Sequence, residues 1–204
     1  MSRALKRALD IALAGAGLLL SAPLWPIIAA AIRIDSRGPV FYGQSRVGEA
    51  GRHFMVLKFR SMIADAERGR GPLQAGVDDP RITRVGRVLR ATAMDELPQL
   101  WNIVRGDMSF VGPRALRPEE IEVDGGGASV PLDAIPGFRQ RCAVPPGLTG
   151  IAQIYAPRDV SRRQKFRFDL LYIRRRSLGL DIRLILLSFW ITMRGTWEAR
   201  EKKF

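Results

Sequence analysis

Asp95 and Glu96 are neighbouring carboxylates that open an apolar helical pattern, with Leu97, Leu100, Trp101 and Val104 at i, i+3, i+4 and i+7. Pro98 fits only the first turn of such a helix, where backbone N–H groups have no partners to lose. Asp95 is therefore expected at or near the N-cap. Aspartate is a favoured cap, and such a pair often does nothing more. The same geometry nevertheless suits phosphoryl chemistry, because a helix start draws phosphate, stabilises an ionised carboxylate and sets Asp95 beside the incoming group. Just upstream, Arg84, Arg87 and Arg90 recur at three-residue spacing in a helix predicted over 82–91 and share one face. They form either a solvated face or, since three like charges repel, a phosphate-facing one.

Composition leaves few other groups to carry chemistry. The 204-residue chain has one cysteine, Cys142, which excludes an intrachain disulfide and a cysteine-based metal cluster and fits a reducing compartment. Its one histidine, His53, excludes histidine-rich metal sites and reads as a solvated strand residue rather than a catalyst. Lys and Arg number 33 against 20 Asp and Glu, a net charge of +13 that points to nucleic acid, acidic lipid or a phosphorylated substrate. With 47% hydrophobic and 26% charged residues, neither wholesale disorder nor a polytopic membrane protein fits.

The elements that must position these groups begin with an apolar run. Ile11 to Ile32 is a stretch of 22 residues without a charge, preceded by Arg3, Lys6, Arg7 and Asp10 and followed by Arg33 and Arg37. Three readings compete. A secretory signal has such a basic start, and Ala29-Ala30-Ala31 offers a cleavage site, but the run is longer than a usual signal core and holds Pro23 and Pro26. A straight spanning helix has the length, yet the prolines break it, and the basic flanks favour keeping both ends on the cytoplasmic face. Split at Pro23, halves of about 12 and 9 residues give roughly 18 and 14 Å of helix, each short of a hydrocarbon core of about 30 Å. A re-entrant helix-break-helix over 1–37, dipping into one leaflet and returning, satisfies all of this, with Ser21 bonding a carbonyl freed at the break.

After the helix pair, over residues 38–204, the sequence becomes soluble-like. Val40 to Val47 and His53 to Phe59 are strands around the turn Gly48–Gly51 and predict a β-hairpin. A helix is expected from Ser61 to Glu67, then a loop over 69–79. Gly106 to Arg114 is a turn, a short extended run and a second turn, and 136–150 is loop-rich. From Arg158 to Arg176 there are eight Lys or Arg and two Asp, but few exposed aromatics for base stacking and no helix-turn-helix or OB pattern, so no nucleic-acid partner is expected. Ile182, Ile185, Leu186, Phe189, Trp190 and Met193 form a helical stripe with Leu184, Leu187 and Ile191 opposite, a helix that packs in the core or lies at the membrane surface. The fold class is thus α+β: the re-entrant pair, a small β-hairpin or sheet and several amphipathic interface helices.

Several blocks, in order, resemble the bacterial sugar transferases, the monotopic polyprenyl-phosphate phosphoglycosyl transferases. They are Lys6-Arg7…Asp10, the apolar run broken at Pro23, Ser36-Arg37-Gly38-Pro39, Gln44…Arg46, and Lys58-Phe59-Arg60-Ser61-Met62. Asp95-Glu96-Leu97-Pro98-Gln99-Leu100-Trp101-Asn102, Gly106-Asp107-Met108-Ser109 and Val111-Gly112-Pro113-Arg114 follow. Pro146-Gly147-Leu148-Thr149-Gly150…Gln153 and Asp169…Tyr172…Ser177…Asp181 complete the match, which covers nearly the whole chain.

The resemblance implies transfer of a sugar-1-phosphate from a nucleoside diphosphate sugar, usually a UDP-sugar, to polyprenyl (undecaprenyl) phosphate at the bacterial inner membrane. It implies Asp95 as nucleophile, forming an acyl phosphate as UMP leaves, and Mg²⁺ with Asp95 among its oxygen ligands. Glu96 is given metal support or proton handling, both open. Lys58, Arg60, Arg87, Arg90 and Arg114 would surround the phosphates, and Pro113-Arg114 stands in the family's nucleotide-contacting motif, whose third residue is here Ala115 rather than proline. Membrane lipids are implied partners and a homo-oligomer is compatible. The rivals are an inactive membrane scaffold, a basic lipid- or nucleic-acid-binding module, and a nucleotide-sugar hydrolase.

Overall fold

The structure, a computed structural model, describes residues 2–64, 66, 79–118, 120–123, 129–157 and 160–194. The apolar run forms two helices, α1 (Arg3–Ser21) and α2 (Leu24–Asp35), bent by 62° at the break. Pro23 sits at the α2 N-cap and Pro26 in its first turn, where neither ring displaces an intrahelical bond. Ser21 does not serve a carbonyl freed by Pro23: its hydroxyl lies 3.4 Å from the Leu18 carbonyl, which already accepts from Ala22 N at 2.9 Å, and it accepts from Trp25 Nε1 at 3.1 Å. Among the described residues no single helix is long and apolar enough to cross a membrane, although the bent pair together is.

Strands β1 (Phe41–Val47) and β2 (His53–Phe59) form the expected antiparallel hairpin, with Tyr42 opposite Lys58 and Val47 opposite His53. The expected helix from Ser61 does not begin there. Met62 instead makes an antiparallel bridge to Ile82, and Ile63 N donates to Arg81 O, so tertiary pairing overrides the local pattern. Asp65, Glu67 and most of the expected loop lie outside the described residues. Then come α3 (Arg84–Ala91), α4 (Gln99–Arg105) and β3 (Ser109–Val111). A small antiparallel pair, β4 (Ile121–Val123) and β5 (Ser129–Pro131), precedes α5 (Phe138–Arg141). Strand β6 (Gly147–Thr149) runs parallel to β3, followed by α6 (Ile151–Tyr155), α7 (Arg162–Arg175) and α8 (Leu178–Arg194). The β3–β6 contact is backbone against backbone: a Cβ on Gly147 would stand 2.0 Å from Gly112 N. The architecture is α+β.

Three apolar clusters decide where the site lies. Val111, Ile151, Ile154, Tyr172, Leu184 and Ile191 hold β3, α6, α7 and α8 together. Ala14, Val56, Leu100, Ile103 and Met108 pin α1 to β2 and α4. Ile28, Ile32, Phe59 and Leu89 pin α2 to β2 and α3. Both legs of the N-terminal pair thus enter the core that carries the carboxylates. Helix α8 resolves its two faces: Leu184 and Ile191 are buried, while Ile182, Leu186, Phe189, Trp190 and Met193 are exposed.

A buried polar network closes this arrangement. Lys6 Nζ lies 3.0 Å from Asp10 and 2.9 Å from Asp181, which is 0% exposed. Asp10 also accepts from Ser109 Oγ at 3.0 Å and Phe110 N at 3.1 Å, and the Tyr172 hydroxyl lies 2.9 Å from both Asp181 and the Val111 carbonyl. Removing one member of a buried ionic group strands the others, at a cost of about 3–5 kcal/mol. Lys6→Met should therefore lower the thermal midpoint of the detergent-solubilised protein by many degrees; an unchanged midpoint would mean that water screens the two carboxylates.

Candidate active site

The two carboxylates come from a 3₁₀ turn, Met94–Glu96, rather than from the cap of the following helix. Pro98 itself occupies the α4 N-cap, and Ala93 at φ 53° reverses the chain just ahead of the turn. Asp95 is therefore not the expected N-cap, and neighbouring side chains rather than a helix dipole set its charge. The turn is presented by α3, which lies close against the backbone of 61: a Cβ on Gly86 would stand 1.9 Å from Ser61 O, so only glycine allows the approach.

Lys58 faces the pair because α4 is stitched to β2. Asn102, fully buried, accepts from Leu57 N at 3.0 Å and donates to Met55 O at 2.8 Å, completing backbone bonds along the strand that carries the lysine. Lys58 Nζ then lies 2.5 Å from Glu96 Oε1 and 3.9 Å from Asp95 Oδ2. The carboxylates part company electrostatically. Burial pushes Asp95, 7% exposed, up to about 6 against the opposing charges of Lys58 and Arg90, and Glu96 beside it adds to the rise. Burial would raise Glu96 too, but Lys58, in contact with it, and Arg114 outweigh that effect and hold the carboxyl at about 2. Glu96 is thus a fixed anion already engaged by a cation, and Asp95 is the carboxylate whose oxygens are less committed.

The cleft beside Glu96 is lined by Arg46, Lys58, Gln99 and Arg114. Arg114 is held through its backbone. Pro113 is buried and its carbonyl accepts from Gly147 N at 2.8 Å; Arg141 donates to the Arg114 carbonyl at 2.6 Å and is itself paired with buried Asp169 at 2.8 Å. Arg46 donates to the Ala115 carbonyl at 3.1 Å, and its own guanidinium is pushed down to about 10 by burial and by Arg114 and Arg117 nearby. A cleft that costs an arginine part of its basicity is one that an anion would relieve.

That geometry sorts the residues singled out in the sequence. Asp95, Glu96, Lys58, Arg90 and Arg114 converge, with Pro113 behind Arg114. Arg87 is exposed on α3. Arg60 is placed elsewhere altogether: 5% exposed, it donates to the carbonyls of Ile32, Ser36 and Arg37 and to the Ser36 hydroxyl, closing the end of α2. Its donors serve backbone, not a phosphate cleft. Sequence reasoning passed over Arg46, Gln99, Asn102 and Arg141 as site builders, although the first three stand in blocks that carried the resemblance.

The sequence profile described as bacterial sugar transferase matches residues 1–195. The chain belongs to the bacterial sugar transferase family. Undecaprenyl-phosphate glucose phosphotransferase of Komagataeibacter xylinus is 43% identical over 190 residues, 90% of this chain and 35% of that protein. The exopolysaccharide production protein PSS of Rhizobium leguminosarum bv. phaseoli is 40% identical over 91% of this chain and 93% of its own length. UDP-glucose:undecaprenyl-phosphate glucose-1-phosphate transferase of Escherichia coli K12 is 40% identical over 92% of this chain and 40% of that protein. The chain thus spans well under half of the first and third of these relatives and nearly all of the second.

Among the described residues no group of three or more His, Cys, Asp or Glu side chains is gathered to cage a metal in this bacterial sugar transferase. Asp95 does fit Mg²⁺ of the kind held by one or two carboxylates with substrate phosphate oxygens and water completing the shell. A dication there would also relieve the mutual repulsion of Asp95 and Glu96.

Proposed function

We propose that this bacterial sugar transferase moves a sugar-1-phosphate from a UDP-sugar to undecaprenyl phosphate in two displacements at Asp95. The observation that carries the reading is a buried Asp95 carboxylate, less committed than its neighbour Glu96, facing the charges of Lys58 and Arg90, with Arg114 beside Glu96. An Asp95 oxygen attacks the sugar-linked phosphorus, the bond to the other phosphate breaks, and UMP leaves. An oxygen of the lipid phosphate then attacks the same phosphorus, releases the carboxylate and forms the lipid diphosphate sugar. Asp95 would hold Mg²⁺, which when bound would supply charge neutralisation. Glu96 keeps Lys58 in place, and Arg114 and Arg90 balance the phosphate charge, since this chemistry is mostly positioning and electrostatics.

The test is a UMP-release screen over UDP-sugars, starting with UDP-glucose because two of the relatives' names contain glucose. A transferase releases about one UMP per enzyme without lipid and turns over only with undecaprenyl phosphate. Continuous release without lipid indicates a hydrolase, and no release from any UDP-sugar indicates a scaffold or binding module.

On this reading α1 and α2 form a re-entrant pair at the inner membrane, both ends on the cytoplasmic face, with the exposed apolar face of α8 against the same leaflet. Ser2→Cys should stay unlabelled by an impermeant thiol reagent in intact cells and react after lysis. Labelling in intact cells would mean a spanning helix.

A further inference from the structure

Each leg of the N-terminal helix pair supplies a charge to the unfinished end of a helix in the site. Arg7, on α1, donates through Nη1 to the Ile103 carbonyl and through Nη2 to the Val104 carbonyl, each at 2.5 Å. Both carbonyls belong to the last turn of α4, beyond which the helix does not continue; the Ile103 carbonyl also accepts from the capping Gly106 N at 3.1 Å. Asp35, the last residue of α2, accepts from Val85 N at 2.8 Å, in the first turn of α3, where Thr83 Oγ1 takes the Gly86 N–H. A cation thus completes a helix C-terminus and an anion a helix N-terminus, the signs both macrodipoles favour.

These two helices frame the reacting charges. Helix α3 carries Arg90, whose charge acts on Asp95, and α4 follows directly from the turn holding Asp95 and Glu96. Between them lies only a short reversal through left-handed Ala93, so tilting either helix changes the approach of Arg90 to Asp95. The apolar anchors remain if the polar ties are cut: Leu89 still packs on Ile28, Ile32 and Phe59, and Ile103 on Ala14. The ties therefore govern position more than existence of the fold.

We propose that Arg7 and Asp35 are positioning residues, setting from the two ends of the helix pair the separation of Asp95 and Arg90; the proposal rests on the transfer reaction above. With saturating UDP-sugar and undecaprenyl phosphate, Arg7→Ala and Asp35→Ala should each lower kcat about tenfold, in keeping with the cost of sub-ångström misplacement, with KM for the UDP-sugar nearly unchanged. Asp35→Asn, which keeps an acceptor for Val85 N, should recover most of the loss. The decisive comparison is the double variant: Asp35→Ala should add little to Arg90→Ala, because both act through one guanidinium. Losses that multiply in the double variant, or a change in KM alone, overturn the proposal. Amide exchange provides a readout without turnover. Asp35→Ala should speed exchange from Val85 through the Asp95 turn, and acceleration confined to Val85 and its immediate neighbours overturns the coupling. Extended acceleration in Asp35→Ala, together with no UMP release by wild-type protein, upholds the positioning and refutes the reaction instead.

Discussion

Asp95→Asn is expected to leave UDP-sugars intact, with UMP release reduced by at least about 10³-fold, the scale that follows when a covalent nucleophile is removed. The loss should be as complete without lipid acceptor as with it, because the first displacement is the step removed. An amide has nearly the carboxylate's shape, so the turn should survive, and the Lys58–Glu96 pair loses nothing by the exchange. Digestion of wild-type protein mixed with UDP-sugar should yield the peptide containing Asp95 with sugar-phosphate mass added. Glu96→Gln serves as the comparator: it removes the partner of Lys58 without removing the attacking oxygen, so turnover should fall while the adduct still forms. Normal UMP release by Asp95→Asn would exclude the two-step route and leave direct attack by the lipid phosphate.

The second large effect is expected at Lys58. Its ammonium is the cation nearest both carboxylates, in contact with Glu96 and 3.9 Å from Asp95. Lys58→Ala leaves Glu96 without its ion-pair partner and lets the adjacent charges repel. A loss of about 10²–10³-fold in kcat is expected, comparable to deleting one preorganised charge or donor from a transition-state site. Lys58→Arg should recover part of it, since the charge returns with a planar head that reaches a different point. The arginine variant's activity is the discriminating measurement: equal loss in both would place the lysine's role in geometry alone, and no loss in either would remove it from the site.

What the sequence disclosed follows the range over which each signal acts. The β1–β2 hairpin, α3 and the break at Pro23 were legible because turn residues, three-residue spacing and proline act within a few residues. The Asp95–Glu96 pair was legible as a candidate from its residue types, but its conformation was not. Pro98 marked a helix start correctly within a residue, while the 3₁₀ turn depends on Ala93 entering the left-handed region, which alanine rarely does without tertiary support. Arg60 was misplaced for a related reason. It stands two residues after Lys58, a spacing that keeps both on one face of a continued strand, but β2 ends at Phe59 and Arg60 turns back to the end of α2 while Lys58 reaches Glu96. Nothing local tells where the strand stops or which backbone carbonyls await a guanidinium. Arg46 and Arg141 were similarly silent, because their partners are carbonyls of a loop far along the chain.

The link from Lys6 to Asp181 bears on the order in which this chain acquires its shape. A polypeptide made from the N-terminus completes α1 long before α8 has been synthesised, and until then Lys6 has Asp10 alone of its two partners. Contacts between segments so distant in sequence are slow to form and are made late. Until α7 and α8 pack, the strand leading to Arg114 lacks the support of Tyr172. The cleft beside Glu96 and Arg114 is therefore finished only when the last-made helices close on the first-made one, and a chain cut short before α8 leaves it open.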